Sequence, residues 1–129
     1  MKKNSRGFTL MEIIVVASII ALLAAMSIVL ILNNIIAADE ASAQSALTTY
    51  RAAMEDFRNI NATYPAQLSD LGQGDPAYID SVLAGGTKRG YTFTLSNSSA
   101  TSYTITASPQ QMNVTGKRTF SVNESGTIT

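Results

Sequence analysis

The chain has 129 residues, 46% of them hydrophobic, and its formal charge is zero. It contains no Cys, His or Trp, which excludes thiol nucleophiles, imidazole bases, disulfides and His/Cys metal sites. At this length we expect one small domain plus one anchoring segment.

The first predicted element is a membrane-length apolar helix behind a short basic leader. Three cations precede Gly7, and residues 13–32 carry no charge, Pro or Gly. As a helix, residues 8–32 span about 37 Å, enough to cross a hydrocarbon core of about 30 Å. Because no further Lys or Arg occurs before Arg51, the positive-inside rule places the N-terminus in the cytoplasm and the C-terminus outside.

One acid, Glu12, lies near the start of this apolar run. A carboxylate at the centre of a transmembrane helix costs roughly 2.5–3.5 kcal/mol on insertion scales. A lone acid in a membrane span is therefore a functional-site hypothesis. The alternative is an acid near the interface that reaches back to the depth of the headgroups.

The residues allow three interpretations of this segment. The first is a plain signal anchor. The second is a secretory signal peptide, since Ala-Ser-Ala before Gln44 matches the small-x-small cleavage pattern, although the apolar run is longer than an ordinary signal peptide and contains Glu12. The third is cleavage between Gly7 and Phe8, on the cytoplasmic side of the span.

The segment KKNSRGFTLMEIIVVASIIALLA resembles the N-terminus of type IV prepilins and the related pseudopilins. Gly7, Phe8 and Glu12 stand at the family's positions for leader cleavage, N-methylation and assembly, and Thr9 and Leu10 also match. The resemblance implies a leader that a membrane aspartic peptidase removes after Gly7, and N-methylation of Phe8. It also implies Glu12 as a residue that matters for assembly.

Cleavage would remove the leader's cations and leave one cationic amine on Phe8. In a bundle of staggered helices, the amine of one subunit can meet Glu12 of its neighbour, and in a low-dielectric surrounding the pair satisfies two otherwise costly charges. The chain departs from the family at Ala21 and Val29, where relatives often carry helix-breaking Gly and Pro. The leader's cations are Lys2, Lys3 and Arg6.

The helix is predicted to continue to about residue 61, because apolar residues recur there at helical spacing. Two short helical pieces are predicted over Pro65–Leu71 and Pro76–Leu83, the second with Asp75 as N-cap. The residues of the apolar stripe are Ile36, Ala43, Leu47, Tyr50, Met54 and Phe57.

From Gly90 the apolar period changes to two, which predicts β-strands. Together these elements predict an α+β fold: a long N-terminal helix, half membrane-spanning and half amphipathic, packed on a small antiparallel sheet of three or four strands. The predicted strand residues are Tyr91–Leu95, Tyr103–Ala107, Phe120–Val122 and a last short strand at Ile128.

The predicted organisation is a leader over residues 1–7, a transmembrane and assembly helix over residues 8–33, and a periplasmic or extracellular pilin head over residues 34–129. The resemblance implies a structural subunit of a type IV pilus-like filament, which polymerises through its N-terminal helix and supports adhesion. A pseudopilin of a type II secretion system is the alternative. A monomeric membrane-anchored binding module is a more distant one.

The expected partners are other copies of the chain in a helical homopolymer, a prepilin peptidase and methyltransferase, an inner-membrane assembly platform, and membrane lipid before assembly. The precursor is expected in a bacterial inner membrane, and the assembled subunit in a cell-surface pilus or a periplasmic pseudopilus. We expect no enzyme activity, catalytic residue, metal or cofactor. No nucleic-acid partner is predicted, because the basic residues beyond the leader are dispersed or in pairs.

Overall fold

The structure is a computed structural model that describes residues 6–129. The chain forms two compact units, one ending at Asn34 and the other comprising Ile35–Thr129, the head. Helix α1 (Leu10–Asn61) contributes residues to both units. The other elements are a 3-10 helix (Leu68–Gly72), helix α2 (Ser81–Ala84) and strands β1 (Thr87–Lys88), β2 (Tyr91–Ser96), β3 (Thr104–Pro109) and β4 (Phe120–Asn123).

The N-terminal unit is a single helix whose apolar side chains face outward in all directions. Every described residue from Arg6 to Ile35 is exposed in the isolated chain. Helix α1 is long and apolar enough to cross a membrane, and the described part of the chain buries none of its most apolar stretch. Because apolar surface left in water costs about 25 cal/mol per Å², this part of α1 needs lipid or protein around it.

In the head, the C-terminal part of α1 presents the predicted apolar stripe to the core. Leu47, Tyr50 and Met54 are completely buried, and Phe57 is partly buried. The ring centroid of Tyr50 lies 5.1 Å from that of Phe93 on β2. The amphipathic helix and its core face are therefore confirmed.

The sheet is a four-stranded antiparallel meander in the order β1-β2-β3-β4. The buried residues on β2 and β3 alternate with less buried ones, as the period of two requires. The predicted α+β fold with a long helix on an antiparallel sheet is confirmed.

The fourth strand differs from the prediction. It is β1, at the start of the sheet, whereas Ile128 forms only an isolated bridge with Val122. A two-residue turn, Arg89–Gly90, joins β1 to β2, and both residues have positive φ, 47° and 76°. Positive φ at both turn positions suits a tight hairpin. Thr87 and Lys88, which were predicted to lie outside the sheet, therefore form its first strand.

The two short helical pieces are shorter than predicted. The first is a 3-10 helix that begins at Leu68, not Pro65. The second begins at Ser81, and Asp80 caps it by accepting a hydrogen bond from the Leu83 N–H at 2.8 Å. The prediction of Asp75 as N-cap was wrong, because the chain up to Ile79 is held against the 3-10 helix.

That attachment is made by two backbone hydrogen bonds. The N–H groups of Tyr78 and Ile79 both donate to the carbonyl of Leu71, at 2.9 and 3.2 Å. The Tyr78 N–H is then unavailable to the Asp75 side chain as a cap, and the Ile79 N–H is unavailable to the Asp75 carbonyl, as a helix starting at Pro76 requires. The peptide bond between Asp75 and Pro76 is cis.

Candidate functional site

The first candidate site is the start of α1, where Thr9 and Glu12 form a reciprocal pair of hydrogen bonds. The Glu12 N–H donates to Thr9 Oγ1 at 3.1 Å, and the Thr9 N–H donates to Glu12 Oε2 at 3.1 Å. This arrangement is a capping box, in which each side chain satisfies a backbone N–H that has no partner within the helix. The box fixes where α1 begins and engages one oxygen of the carboxylate.

The other carboxylate oxygen stays open. Over residues 6–129, Glu12 Oε1 accepts no hydrogen bond, and Glu12 forms no salt bridge. Glu12 is also exposed in the single chain. It can therefore accept a cationic partner from outside the chain.

An apolar groove runs along the same face of α1. Glu12, Val16 and Ile20 follow one another at intervals of four residues, which places them on one side of the helix, and Phe8 lies four residues before Glu12. They line a groove of about 540 Å³ together with Ile13 and Ala17. The site thus combines an apolar surface with one carboxylate, and this arrangement suits another helix carrying a cation.

The residues predicted for leader cleavage lie just before the helix. Gly7 and Phe8 precede α1, and Phe8 is 86% exposed. No atom lies within 4 Å of the position that a Cβ on Gly7 would occupy. The peptide bond between them is therefore open to a protease. Lys2 and Lys3 of the predicted leader lie outside the described residues.

A second site lies on the head, where two acids of α1 hold two loops. Asp39 and Glu40 are both nearly buried. Asp39 Oδ1 accepts from Arg89 Nε at 3.1 Å. Glu40 accepts from the Lys117 backbone N–H at 2.9 Å and from Arg118 Nε and Nη2 at 3.0 and 2.9 Å.

These contacts shift the ionisation of Glu40. The hydrogen bond from the Lys117 N–H and the Arg118 guanidinium lower the pKa of Glu40, while burial opposes them. The carboxylate therefore stays charged, and it ties the segment before β4 to α1.

The same contacts bring two cations that are far apart in sequence to one part of α1. Arg89 and Arg118 bind the adjacent residues Asp39 and Glu40, and Lys88 and Lys117 are their neighbours in sequence. The hydroxyl of Tyr91 also donates to the Arg118 carbonyl at 2.9 Å. We call Lys88, Arg89, Lys117 and Arg118 the basic surface.

Sequence reasoning missed the basic surface, although one signal was present. Asp39 and Glu40 occupy the gap between Ile36 and Ala43 in the apolar stripe, a position where a core residue is expected. Two acids on a core-facing position need buried partners. The pattern indicates that cations approach the helix there, but it does not show which ones.

The exposed apolar half of α1, its lone carboxylate and the α+β head together define a pilin-type subunit with a membrane-anchored precursor. A family model described as the prokaryotic N-terminal methylation motif matches residues 2–32. A second, described as type IV minor pilin ComP, DNA uptake sequence receptor, matches residues 33–120. The chain belongs to this type IV pilin family, whose members are structural or binding proteins, and the resemblance drawn from the N-terminal residues is confirmed. No curated protein matches the chain.

Proposed function

We propose that this chain is a subunit of a type IV pilus, cleaved after Gly7, N-methylated on Phe8 and polymerised through residues 8–33. Residues 1–7 would then be the leader and residues 34–129 the head. The observation that carries the proposal is Glu12, a carboxylate with one open oxygen on an exposed apolar helix face. Its complement is the amine that cleavage creates on Phe8 of a second copy.

The pairing explains why one acid is kept in an apolar helix. A carboxylate and an amine that leave water separately are each costly, and together they offset much of that cost. The contact also fixes the axial offset between two helices, because a shift by one turn moves Glu12 about 5.4 Å from the amine. In the uncleaved precursor this partner is absent.

The same chemistry would serve a secretion pseudopilus, which remains the alternative. The match over residues 33–120 to a model described as a type IV minor pilin favours the pilus. The proposed partners are further copies of the chain, a prepilin peptidase and methyltransferase, and an inner-membrane assembly platform. Deleting the pilus retraction machinery or the secretion channel in turn, and asking which deletion changes the amount of filament, separates the two.

Two measurements in a strain with the processing and assembly machinery test the proposal. Intact mass should show a mature chain beginning at N-methylated Phe8, and a chain still beginning at Met1 would refute it. Glu12→Ala should be processed and enter the membrane normally yet form little filament. Asp56→Ala, which removes an exposed acid of the head, is the control and should assemble like the parent.

A second function, DNA binding by the head, is favoured by the basic surface. The matched minor-pilin model is described as a DNA uptake sequence receptor, and we extend that description to this chain as a proposal. The four cations of the basic surface outnumber Asp39 and Glu40, the two acids that contact it. The Arg89 and Arg118 side chains are 57% and 65% exposed. Clustered exposed cations are the electrostatic footprint that nucleic-acid phosphates require.

The loop of residues 110–116, which precedes Lys117 of the basic surface, adds groups that can contact bases. It is held by hydrogen bonds from the Asn113 N–H to the Gly116 carbonyl and from the Thr115 N–H to the Gln111 carbonyl. Met112 and Val114 on the same loop are exposed. A firmly held loop carrying amide and apolar side chains next to phosphate-binding cations suits groove contact.

DNA binding can be measured by fluorescence anisotropy with the full chain in neutral detergent micelles and a labelled duplex. Lys88→Glu with Lys117→Glu should weaken binding at least tenfold and lower the salt slope by about one for each phosphate that is no longer bound. Arg51→Glu, a charge change elsewhere on α1, is the control. Equal binding by the parent and the double variant would leave the sequence-based prediction of no nucleic-acid partner standing.

A further inference from the structure

The capping box at the start of α1 bears directly on assembly. We propose that Thr9 is a positioning residue: its hydroxyl and N–H hold Glu12 so that Oε2 is occupied and Oε1 is presented to the amine of a second copy. This inference rests on the proposed role of Glu12 in a filament.

The capping box restricts the conformation of the Glu12 side chain. A glutamate side chain on an exposed helix face samples several rotamers. The 3.1 Å bond from the Thr9 N–H to Oε2 draws the carboxylate toward the start of the helix, and the matching 3.1 Å bond from the Glu12 N–H to Thr9 Oγ1 fixes the backbone that carries it. A carboxylate held this way loses less side-chain entropy when a partner arrives.

Cleavage after Gly7 leaves the groups that form the capping box unchanged. Cleavage after Gly7 makes Thr9 the second residue of the mature chain, so both of its groups in the box remain an amide N–H and a hydroxyl. The precursor and the mature subunit can therefore form the same box. The new amine, on Phe8, is an additional donor and does not replace either half of the box.

The apolar groove beside Glu12 makes it important that polar groups there are paired. The groove beside Glu12 is lined almost wholly by apolar side chains, and an unpaired N–H or carboxylate costs more in such surroundings than in water. The box pairs the Glu12 N–H and one carboxylate oxygen before assembly. Only the last oxygen, Oε1, waits for its partner.

Three variants of the full chain test this in the assembling strain, with filament yield expressed per processed subunit. Thr9→Val keeps the branched shape but loses the hydroxyl acceptor. It should lower the yield about five- to tenfold, the size expected for loss of an N-cap. Thr9→Ser restores the acceptor and should return the yield to within about twofold of the parent.

Ser18→Ala is the matched control, since it removes a hydroxyl that donates to the Ile14 carbonyl at 2.7 Å within the same apolar stretch. It should assemble like the parent. Thr9→Val added to Glu12→Ala should cause no further loss, because the proposed role of Thr9 acts through the Glu12 carboxylate, which Glu12→Ala lacks. Parental yield from Thr9→Val, or equal losses from Thr9→Val and Thr9→Ser, would overturn the proposal.

Amide hydrogen exchange in detergent micelles provides a readout independent of processing and assembly. In Thr9→Val the Glu12 amide should exchange faster, while the amide of Ile19, inside the helix, should not change. Unchanged exchange at Glu12 would refute the box itself. If Glu12→Ala assembles normally, the proposed function fails; if Glu12→Ala fails to assemble but Thr9→Val assembles normally, only the role of Thr9 fails.

Discussion

The two units of the chain treat their apolar residues in opposite ways. In the head, side chains such as Leu47 and Ile105 are completely buried by other residues of the same chain. In the N-terminal unit, residues of the same kind, such as Leu23 at 59% exposure, are left largely exposed by the described residues 6–129. Burial in the head stabilises a fold, whereas the exposed surface of the helix is left for lipid or for other copies.

The carboxylates of the two units show the same contrast. Glu40 accepts three hydrogen bonds from Lys117 and Arg118 within the head. Among the residues that the structure describes, Glu12 accepts one, from the Thr9 N–H. An acid whose partners all lie in its own chain is structural, and one with an open oxygen is available to a partner outside it.

The largest effect expected is on the apolar residues. Leu47→Ala should lower the free energy of unfolding of the head by about 2–5 kcal/mol, because it leaves a cavity in a filled core. Leu23→Ala should leave that free energy unchanged within about 0.5 kcal/mol. Urea unfolding of the full chain in micelles, followed by tyrosine fluorescence, measures both, since all 5 tyrosines lie in the head.

A similar loss of head stability in the two leucine variants would break the contrast. It would mean that the head depends on packing of the N-terminal helix. A normal head in Leu23→Ala together with reduced filament yield would sharpen the contrast, because the same side chain would then act only between chains.

A smaller effect is expected from the carboxylates. Hydrogen bonds to a charged group contribute about 1.5–3 kcal/mol, but the Arg118 side chain is 65% exposed, which weakens its share. Glu40→Gln should therefore lower the free energy of unfolding of the head by about 1–2 kcal/mol. Glu12→Gln, the control, should leave it unchanged.

The Glu40 contribution should depend on pH in a defined direction. The folded-state pKa of Glu40 is lowered from its ordinary value of 4.5. Its stabilisation is then fully present above about pH 4.5 and is lost as the pH falls through the lower folded-state pKa. The gap in unfolding free energy between the parent and Glu40→Gln should narrow on acidification, and a gap that widens would contradict this account.

Elements that follow from local sequence patterns could be predicted, whereas those that depend on distant contacts could not. Helix α1 and strands β2 to β4 were predictable, because period and burial agree along each of them. Strand β1 was missed, because its two residues are too few to show a period and its turn is Arg89–Gly90, not the commoner Asn-Gly. The start of α2 was misplaced, because Asp75 and Asp80 both precede plausible helices and only long-range bonds to Leu71 decide between them.

The two candidate sites differ in how local their sequence signals are. Gly7, Phe8 and Glu12 lie within six residues of one another, so the sequence alone predicts roles for them, and these roles stay predictions. Thr9 with Glu12 already has capping-box spacing. The basic surface depends on residues about 50 to 80 positions apart meeting at Asp39 and Glu40. No local pattern contains that pairing.

The smallest effect on unfolding free energy is expected from two buried tyrosines of the head, one with a hydrogen-bonded hydroxyl and one without such a bond within residues 6–129. The Tyr50 hydroxyl donates to the Leu83 carbonyl at 2.6 Å, whereas over the described residues the equally buried Tyr103 hydroxyl has no hydrogen-bond partner. Burial, with Glu55 nearby, raises the pKa of Tyr103 to about 12, so the group stays neutral at ordinary pH. Tyr50→Phe should cost about 1 kcal/mol of unfolding free energy, and Tyr103→Phe should cost nothing or stabilise slightly. Urea unfolding at pH 7 measures both, and a larger loss from Tyr103→Phe than from Tyr50→Phe would show that a bound water completes the hydrogen bonding of Tyr103.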